Sequence, residues 1–218
     1  KNVFCQSVKH AEVLHLNLEI DNVVNLGCSL WTSDQLKKIK NSIKDKNNKA
    51  YIINDNNKIK GTPDAIKYCK EKELAFDLQE KKSYDNFIEC LGEYSSFVFF
   101  PQTLETFSRI ILEARMLGCK IVTNNNNGCT YEPWFKKLKG EELIDFVDTR
   151  RDQIVTLIEK TTGLPEKTAV ADGDITVILN CYRRPYNLKM QVEALKAQSV
   201  PPKQIWLWVN YHEDNKDF

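Results

Sequence analysis

The sequence predicts an α/β protein, a parallel sheet with crossover helices on both faces, followed by a separate C-terminal βαβ unit. Two observations carry this. Short β-branched and aromatic runs alternate with stretches whose apolar residues recur at helical spacing. A composition break at residues 161–174 (TTGLPEKTAVADGD), with Gly, Pro and no periodicity, then sets a shorter alternating tail apart from the rest. A length of 218 residues is about 1.5 times the ~150 usual for a domain, so one large or two smaller units fit. The expected division is a domain at 1–160, a linker at 161–174 and a further unit at 175–218.

Each element follows from its residues. Residues 23–26 (VVNL) read as a short strand, and a helix runs over about 33–46 with Leu36, Ile39 and Ile43 on one face. Residues 50–53 (AYII) form a buried strand. Thr62 is expected to cap the next helix, with Pro63 at its first position, where a missing N–H is harmless. Ala65, Ile66 and Cys69 line its apolar side. Residues 74–78 make a short strand, and Ser83 opens a helix carrying Phe87, Ile88 and Leu91. A strand at 97–100, a helix at 107–117 and a strand at 120–123 follow. Residues 141–160 then repeat Leu143, Ile144, Val147, Ile154, Leu157 and Ile158 at helical spacing. Beyond the linker come a strand at 175–180, a helix from about 186 to 198 and a strand at 205–209. That unit is one βαβ, too short for an independent domain. It leaves an unpaired sheet edge, so it is expected to pack against the first domain or to pair with another chain. The chain starts at Lys1 and stops at Phe218 after a polar run, and both ends are read as cuts in a longer protein.

Composition removes several function classes. Apolar residues at 42% support a packed core, and no apolar run approaches the ~20 residues of a membrane-spanning helix. The net charge is +1, with 31 basic and 30 acidic residues, and only six of the basic ones are Arg. Nothing in that balance favours nucleic acid. The 7 cysteines are odd in number and include no CxxC pair, which fits small buried hydrophobes in a reducing compartment and a cytoplasmic location. His10, His15 and His212 have no zinc-ligand spacing. Asp172-Gly173-Asp174 and His212-Glu213-Asp214 read as solvated polar segments, and Lys37, Lys38, Lys40, Lys44 and Lys46 as the solvated side of a helix.

The most informative stretch is residues 97–135, FVFFPQTLETFSRIILEARMLGCKIVTNNNNGCTYEPWF. A buried strand runs into a loop at Pro101, and a helix begins near Thr106. The free N–H groups and partial positive charge of a helix start suit an anion. Arg109 and Glu113, four apart, share one side of that helix.

The segment ETFSRIILEARMLGCKIV resembles the E-x7-E segment of retaining glycosyltransferases of the GT-B fold, usually E-G-F-G-x-x-x-x-E-A-x-x-x-G. Glu105, Phe107, Glu113, Ala114 and Gly118 match in register, and Thr106 and Ser108 replace the family's glycines. The resemblance implies a Rossmann-like domain in which Glu105 lies by the donor sugar as the catalytic residue and Glu113 holds ribose hydroxyls. Thr106, Phe107 and Arg109 would belong to the same donor site. Upstream, Asn57-Lys58-Ile59-Lys60-Gly61 resembles the family's Lys-Gly that carries the donor diphosphate, which adds Lys60, Gly61 and Thr62. Lys58 is the only residue there to stand in for the family's upstream Arg, and Glu132 falls where the family often has an acid. The likeness covers about 22–135, the donor-binding half. The acceptor half, typically ~150 residues or more, is absent, and residues 3–7 look like its last strand. No metal or other cofactor is expected here, because Lys60 and helix dipoles neutralise the diphosphate.

The tail, ITVILNCYRRPYNLKMQVEALKAQSVPPKQIWLWVN, resembles the opening of family-2 glycosyltransferases of the GT-A fold. That implies a nucleotide pocket bordered by Tyr182, Arg183 and Arg184. Asn210 stands where the family usually has an acid. A complete module of that kind would use a divalent cation whose ligands come later in the fold. The resulting expectation is a glycosyltransferase acting from a nucleotide-sugar donor on a glycan or surface-polysaccharide acceptor, with no turnover by this piece alone. The alternatives are a nucleotide-sugar epimerase of the same architecture and a non-catalytic nucleotide-binding or interaction module.

Overall fold

The structure, a computed structural model, describes residues 3–162, 176–182, 185–197, 202 and 204–210. The chain divides into two compact units, Lys1–Leu164 and Pro165–Phe218.

The first unit is built on a parallel four-stranded sheet of β3 (Asn47–Ile53), β4 (Phe76–Gln79), β5 (Tyr94–Phe99) and β6 (Lys120–Thr123), ordered β4-β3-β5-β6. The helices α3 (Thr62–Glu71), α4 (Tyr84–Leu91) and α5 (Arg109–Met116) connect successive strands. Parallel crossovers are right-handed, so reversing the direction of travel across the sheet changes the face a helix covers. The chain moves outward from β3 to β4, then back past β3 to β5 and on to β6. Accordingly Ala65 and Cys69 of α3 pack with Ala50, Ile52 and Val98 on one face. Ile88 and Leu91 of α4, with Ile111 and Leu112 of α5, pack on Tyr51, Phe97 and Phe99 on the other. Strand alternation makes this possible, since neighbouring residues point to opposite faces. The result is a Rossmann-like sheet covered on both sides.

Two further elements close the larger core. Thr32 caps α2 (Ser33–Asn41) in a capping box with Gln35, and α2 contributes Leu36 and Ile39. The long α6 (Gly140–Thr162) buries Leu143, Ile144, Val147 and Ile154 against it.

The N-terminal segment departs from expectation. β2 (Val23–Asn25) does not join the main sheet; it pairs in parallel with β1 (Val3–Cys5) as a separate two-stranded ladder. Between them lies α1 (Val8–Leu18), which the sequence did not announce because none of its residues is buried and its apolar periodicity is weak. Ser7 caps α1 by accepting from His10 N at 3.1 Å, and Glu132 Oε1 accepts from Val8 N at 2.8 Å. Arg150 of α6 donates to Leu26 O at 2.9 and 3.1 Å and ties down the end of β2.

Smaller corrections have local causes. Gly61, not Thr62, is the N-cap of α3, and the Thr62 hydroxyl instead donates to Ile53 O at 2.9 Å. The helix expected to reach residue 46 ends at Asn41, and Lys46 serves elsewhere, donating to Gly92 O and Leu117 O at 2.6 Å each. The strand expected at 74–78 lies at Phe76–Gln79. The six cysteines with described side chains are free thiols, five of them buried. Burial pushes the Cys28 and Cys129 thiols to about 12, which removes them as nucleophiles. Among the described residues no helix is long and apolar enough to cross a membrane.

The described part of the second unit comprises β7 (Thr176–Tyr182), α7 (Pro185–Lys196) and β8 (Gln204–Asn210), with β7 and β8 paired in parallel.

Candidate functional site

In an open parallel sheet, ligands bind beyond the carboxyl ends of the strands, where the order of connection reverses. Here that point lies between β3 and β5. A crevice of about 850 Å³ opens there, bounded by residues after β3, residues after β4, Phe99 of β5 and the first turn of α5. The volume lies within the ~300–1,000 Å³ typical of small-molecule sites. Its walls carry Lys60, Lys81, Lys82 and Arg109 together with Asp55, Glu80, Glu105 and Glu113. Apolar surface comes from Ile53, Tyr84, Phe87 and Phe99.

One end of the crevice gathers a buried hydroxyl, a helix start and an ion pair. Ser108 is the N-cap residue of α5, 2% exposed, yet its side chain makes no cap bond. Its Oγ is buried without any hydrogen-bond partner, and the residue lines the crevice. The first N–H groups of an α-helix have no intrahelical partner. In α5 the first to bond is Leu112 N, to Ser108 O at 3.3 Å. An orphaned hydroxyl and the start of a helix therefore line the same crevice as the Lys60–Glu105 ion pair. Lys60 Nζ sits 3.0 Å from Glu105 Oε1 and 5.7 Å from the Phe99 ring centroid.

The backbone beneath these groups is fixed. Gly61 has φ +66°, and a Cβ there would lie 1.8 Å from Phe100 O. Glu105 N donates to Asn126 O at 2.9 Å, and Gly128 N donates to Glu105 O at 2.8 Å. The asparagine run after β6 is a clamp: Asn124 Nδ2 and Asn126 Nδ2 each donate to Pro101 O at 2.9 Å.

The other polar group is Glu113. Trp31 Nε1 donates to its Oε1 at 2.9 Å and the Tyr84 hydroxyl at 3.1 Å, while Arg109 Nη2 lies 3.8 Å from the same oxygen. Arg109 also stacks over the Trp31 ring, 4.6 Å from its centroid. Burial pushes the Glu113 carboxyl above its ordinary range, partly offset by Trp31, Arg109 and Tyr84. Burial and the neighbouring carboxylate raise the Tyr84 phenol as well, so it stays protonated and donates.

Of the residues singled out in the sequence, Lys60, Glu105, Arg109 and Glu113 line this one crevice. Gly61, Thr62, Thr106 and Phe107 are not among its lining residues. Gly61 and Thr62 brace the turn, Thr106 O accepts from Ser7 Oγ at 2.6 Å, and Phe107 belongs to the core. Glu132 is buried, accepting from Val8 N and from Asn25 Nδ2 at 3.3 Å, so its contacts are structural. Tyr182 and Asn210 face each other as backbone partners across β7 and β8. Arg183, Arg184, Asp172–Asp174 and His212–Asp214 lie outside the described residues. Trp31, Tyr84 and Ser108 were not identified as site residues from sequence. Only Trp31 carried a signal, as a lone aromatic in the polar stretch SLWTSD.

No protein-family profile, no curated protein and no solved structure matches this chain.

Proposed function

We propose that the first unit binds the nucleoside diphosphate of an activated sugar, as the donor half of a retaining glycosyltransferase. The observation that carries this reading is the buried, unpartnered Ser108 hydroxyl at the start of α5, in the wall of a crevice at the switch point of the sheet. A buried polar group without a partner is costly, and a ligand phosphate would satisfy it. Lys60 and Arg109 supply charge from the side, and the helix start adds its partial positive charge, so neutralising a diphosphate requires no metal ion. Both hydrogen-bond donors to Glu113, and the Arg109 guanidinium 3.8 Å away, address Oε1, which leaves Oε2 to accept from a ribose hydroxyl. Tyr84 and Phe87 offer a nucleobase an aromatic wall. Glu105, beyond the phosphate end, would take the sugar. In the same reading the second unit opens a GT-A module with Tyr182, Arg183, Arg184 and Asn210 around its nucleotide, and a glycan is the acceptor. This last part rests on the sequence resemblance.

Ser108→Ala tests the reading because stability and binding should part company. The hydroxyl makes no cap bond, so its removal costs no hydrogen bond and relieves an unsatisfied group. Unfolding stability should be unchanged or rise by up to ~1 kcal/mol, while affinity for a nucleoside diphosphate falls about tenfold. Urea unfolding and calorimetric titration read the two effects. Lost stability with unchanged affinity would count against an anion at this position.

A further inference from the structure

The crevice already holds an anion of its own. Glu105 Oε1 lies 3.0 Å from Lys60 Nζ, so the cation placed to meet a ligand phosphate is taken by a carboxylate of the same chain. Both stems are anchored. The turn carrying Lys60 (Lys58–Lys60) is held by Gln102 N donating to Ile59 O at 2.8 Å and by Gly61 wedged against Phe100 O. Glu105 is bonded through both its N–H and its carbonyl to residues 126 and 128. Only side-chain torsions are free to separate the pair. The side chains are 39% and 23% exposed, and a partly solvated pair of this kind is weak. A phosphate carrying more charge than a carboxylate would take the lysine over.

We infer that Glu105 is an internal competitor for Lys60 and thereby selects which diphosphate ligands the crevice accepts, an inference resting on the proposed donor-binding function. A ligand phosphate that captures Lys60 leaves the Glu105 carboxylate unpaired beside a new negative charge. A bare diphosphate has nothing to offer that carboxylate, and the like charges repel. A ligand bearing a hydroxylated group beyond its phosphates donates to it. The pair therefore discriminates against the bare diphosphate, which is the product left when the sugar departs, and favours the conjugate. The same side chain that waits for the sugar weakens the hold of the site on its own product.

The test uses the full chain and calorimetric titration at low ionic strength, with inorganic pyrophosphate and uridine 5′-diphosphate as probes. Wild type, Glu105→Gln, Lys60→Ala and the double variant are compared, with thermal unfolding to verify that each is folded. Glu105→Gln keeps the shape and removes the charge, and it should tighten both probes about three- to tenfold. The gain should vanish in the Lys60→Ala background. Unchanged or weaker binding by Glu105→Gln, alongside weakening by Lys60→Ala, would overturn the competition while the phosphate site stands. Tightening that persists without Lys60 would reduce the effect to general repulsion and also overturn it. No binding of either probe to any of the four proteins would overturn both the donor-site reading and this inference.

Discussion

Replacing Glu113 with Ala should cost about 2–6 kcal/mol of stability, because it leaves two buried or partly buried donors without an acceptor and each such group costs ~1–3 kcal/mol. Those donors are Trp31 Nε1 and the Tyr84 hydroxyl. They belong to the segment before α2 and to α4, so one carboxylate of α5 joins three parts of the fold. Arg109, 43% exposed, remains solvated and contributes little to the loss. Glu113→Gln retains an accepting oxygen and should lose much less. The pH dependence has a definite sign. Burial raises the folded-state carboxyl above its ordinary 4.5, so in the window just above that value the native state holds more protons than the unfolded chain. Wild-type stability therefore falls as pH rises through that window, and the full cost of the buried charge is present above it. Glu113→Gln has no such group, so its stability relative to wild type should improve as pH rises through the same window. Urea unfolding at a series of pH values reads this directly; a flat difference between the two proteins would contradict it.

Gly61→Ala should be about as damaging, at roughly 3 kcal/mol. Its left-handed backbone, φ +66°, costs an L side chain ~1–2 kcal/mol. The added Cβ would also meet the Phe100 carbonyl oxygen at 1.8 Å, a backbone atom, and overpacking of this kind costs ~1–3 kcal/mol. Relief requires the Lys58–Lys60 turn to move off β5, which breaks the Gln102 N to Ile59 O bond and displaces Lys60. Loss of stability should thus come with loss of pyrophosphate binding, measured on whatever folded protein remains below the transition. Gly61→Ala with wild-type stability would mean that the turn is not held as described.

Elements with strong local signals were legible in the sequence. The strands around residues 50–53 and 97–100 are short β-branched and aromatic runs bounded by polar residues, and the helix after Ser83 is capped as expected, with Ser83 Oγ accepting from Asn86 N at 3.4 Å. Lys60, Glu105, Arg109 and Glu113 were recognisable by spacing and resemblance, and all four line the crevice. What escaped depends on distant partners. Nothing near Trp31 announces a bond to a residue 82 positions away. The Ser108 hydroxyl becomes notable only once it is buried without a partner. Likewise β2 looks like any short strand, and only pairing with β1 removes it from the main sheet. α1 lacks the apolar face that periodicity detects, and its first turn is held by the Ser7 and Glu132 side chains and not by burial.

The most direct measurement is an amide-resolved NMR titration of the full chain with a nucleoside diphosphate, without added metal. If the crevice is the donor site, the largest shifts fall on Arg109, Ile110 and Ile111 at the start of α5 and on Lys60 and Gly61, and Ser108→Ala weakens them together. Saturating ligand that leaves those amides unmoved, or moves only residues along α6 such as Asp148 and Lys160, would contradict it.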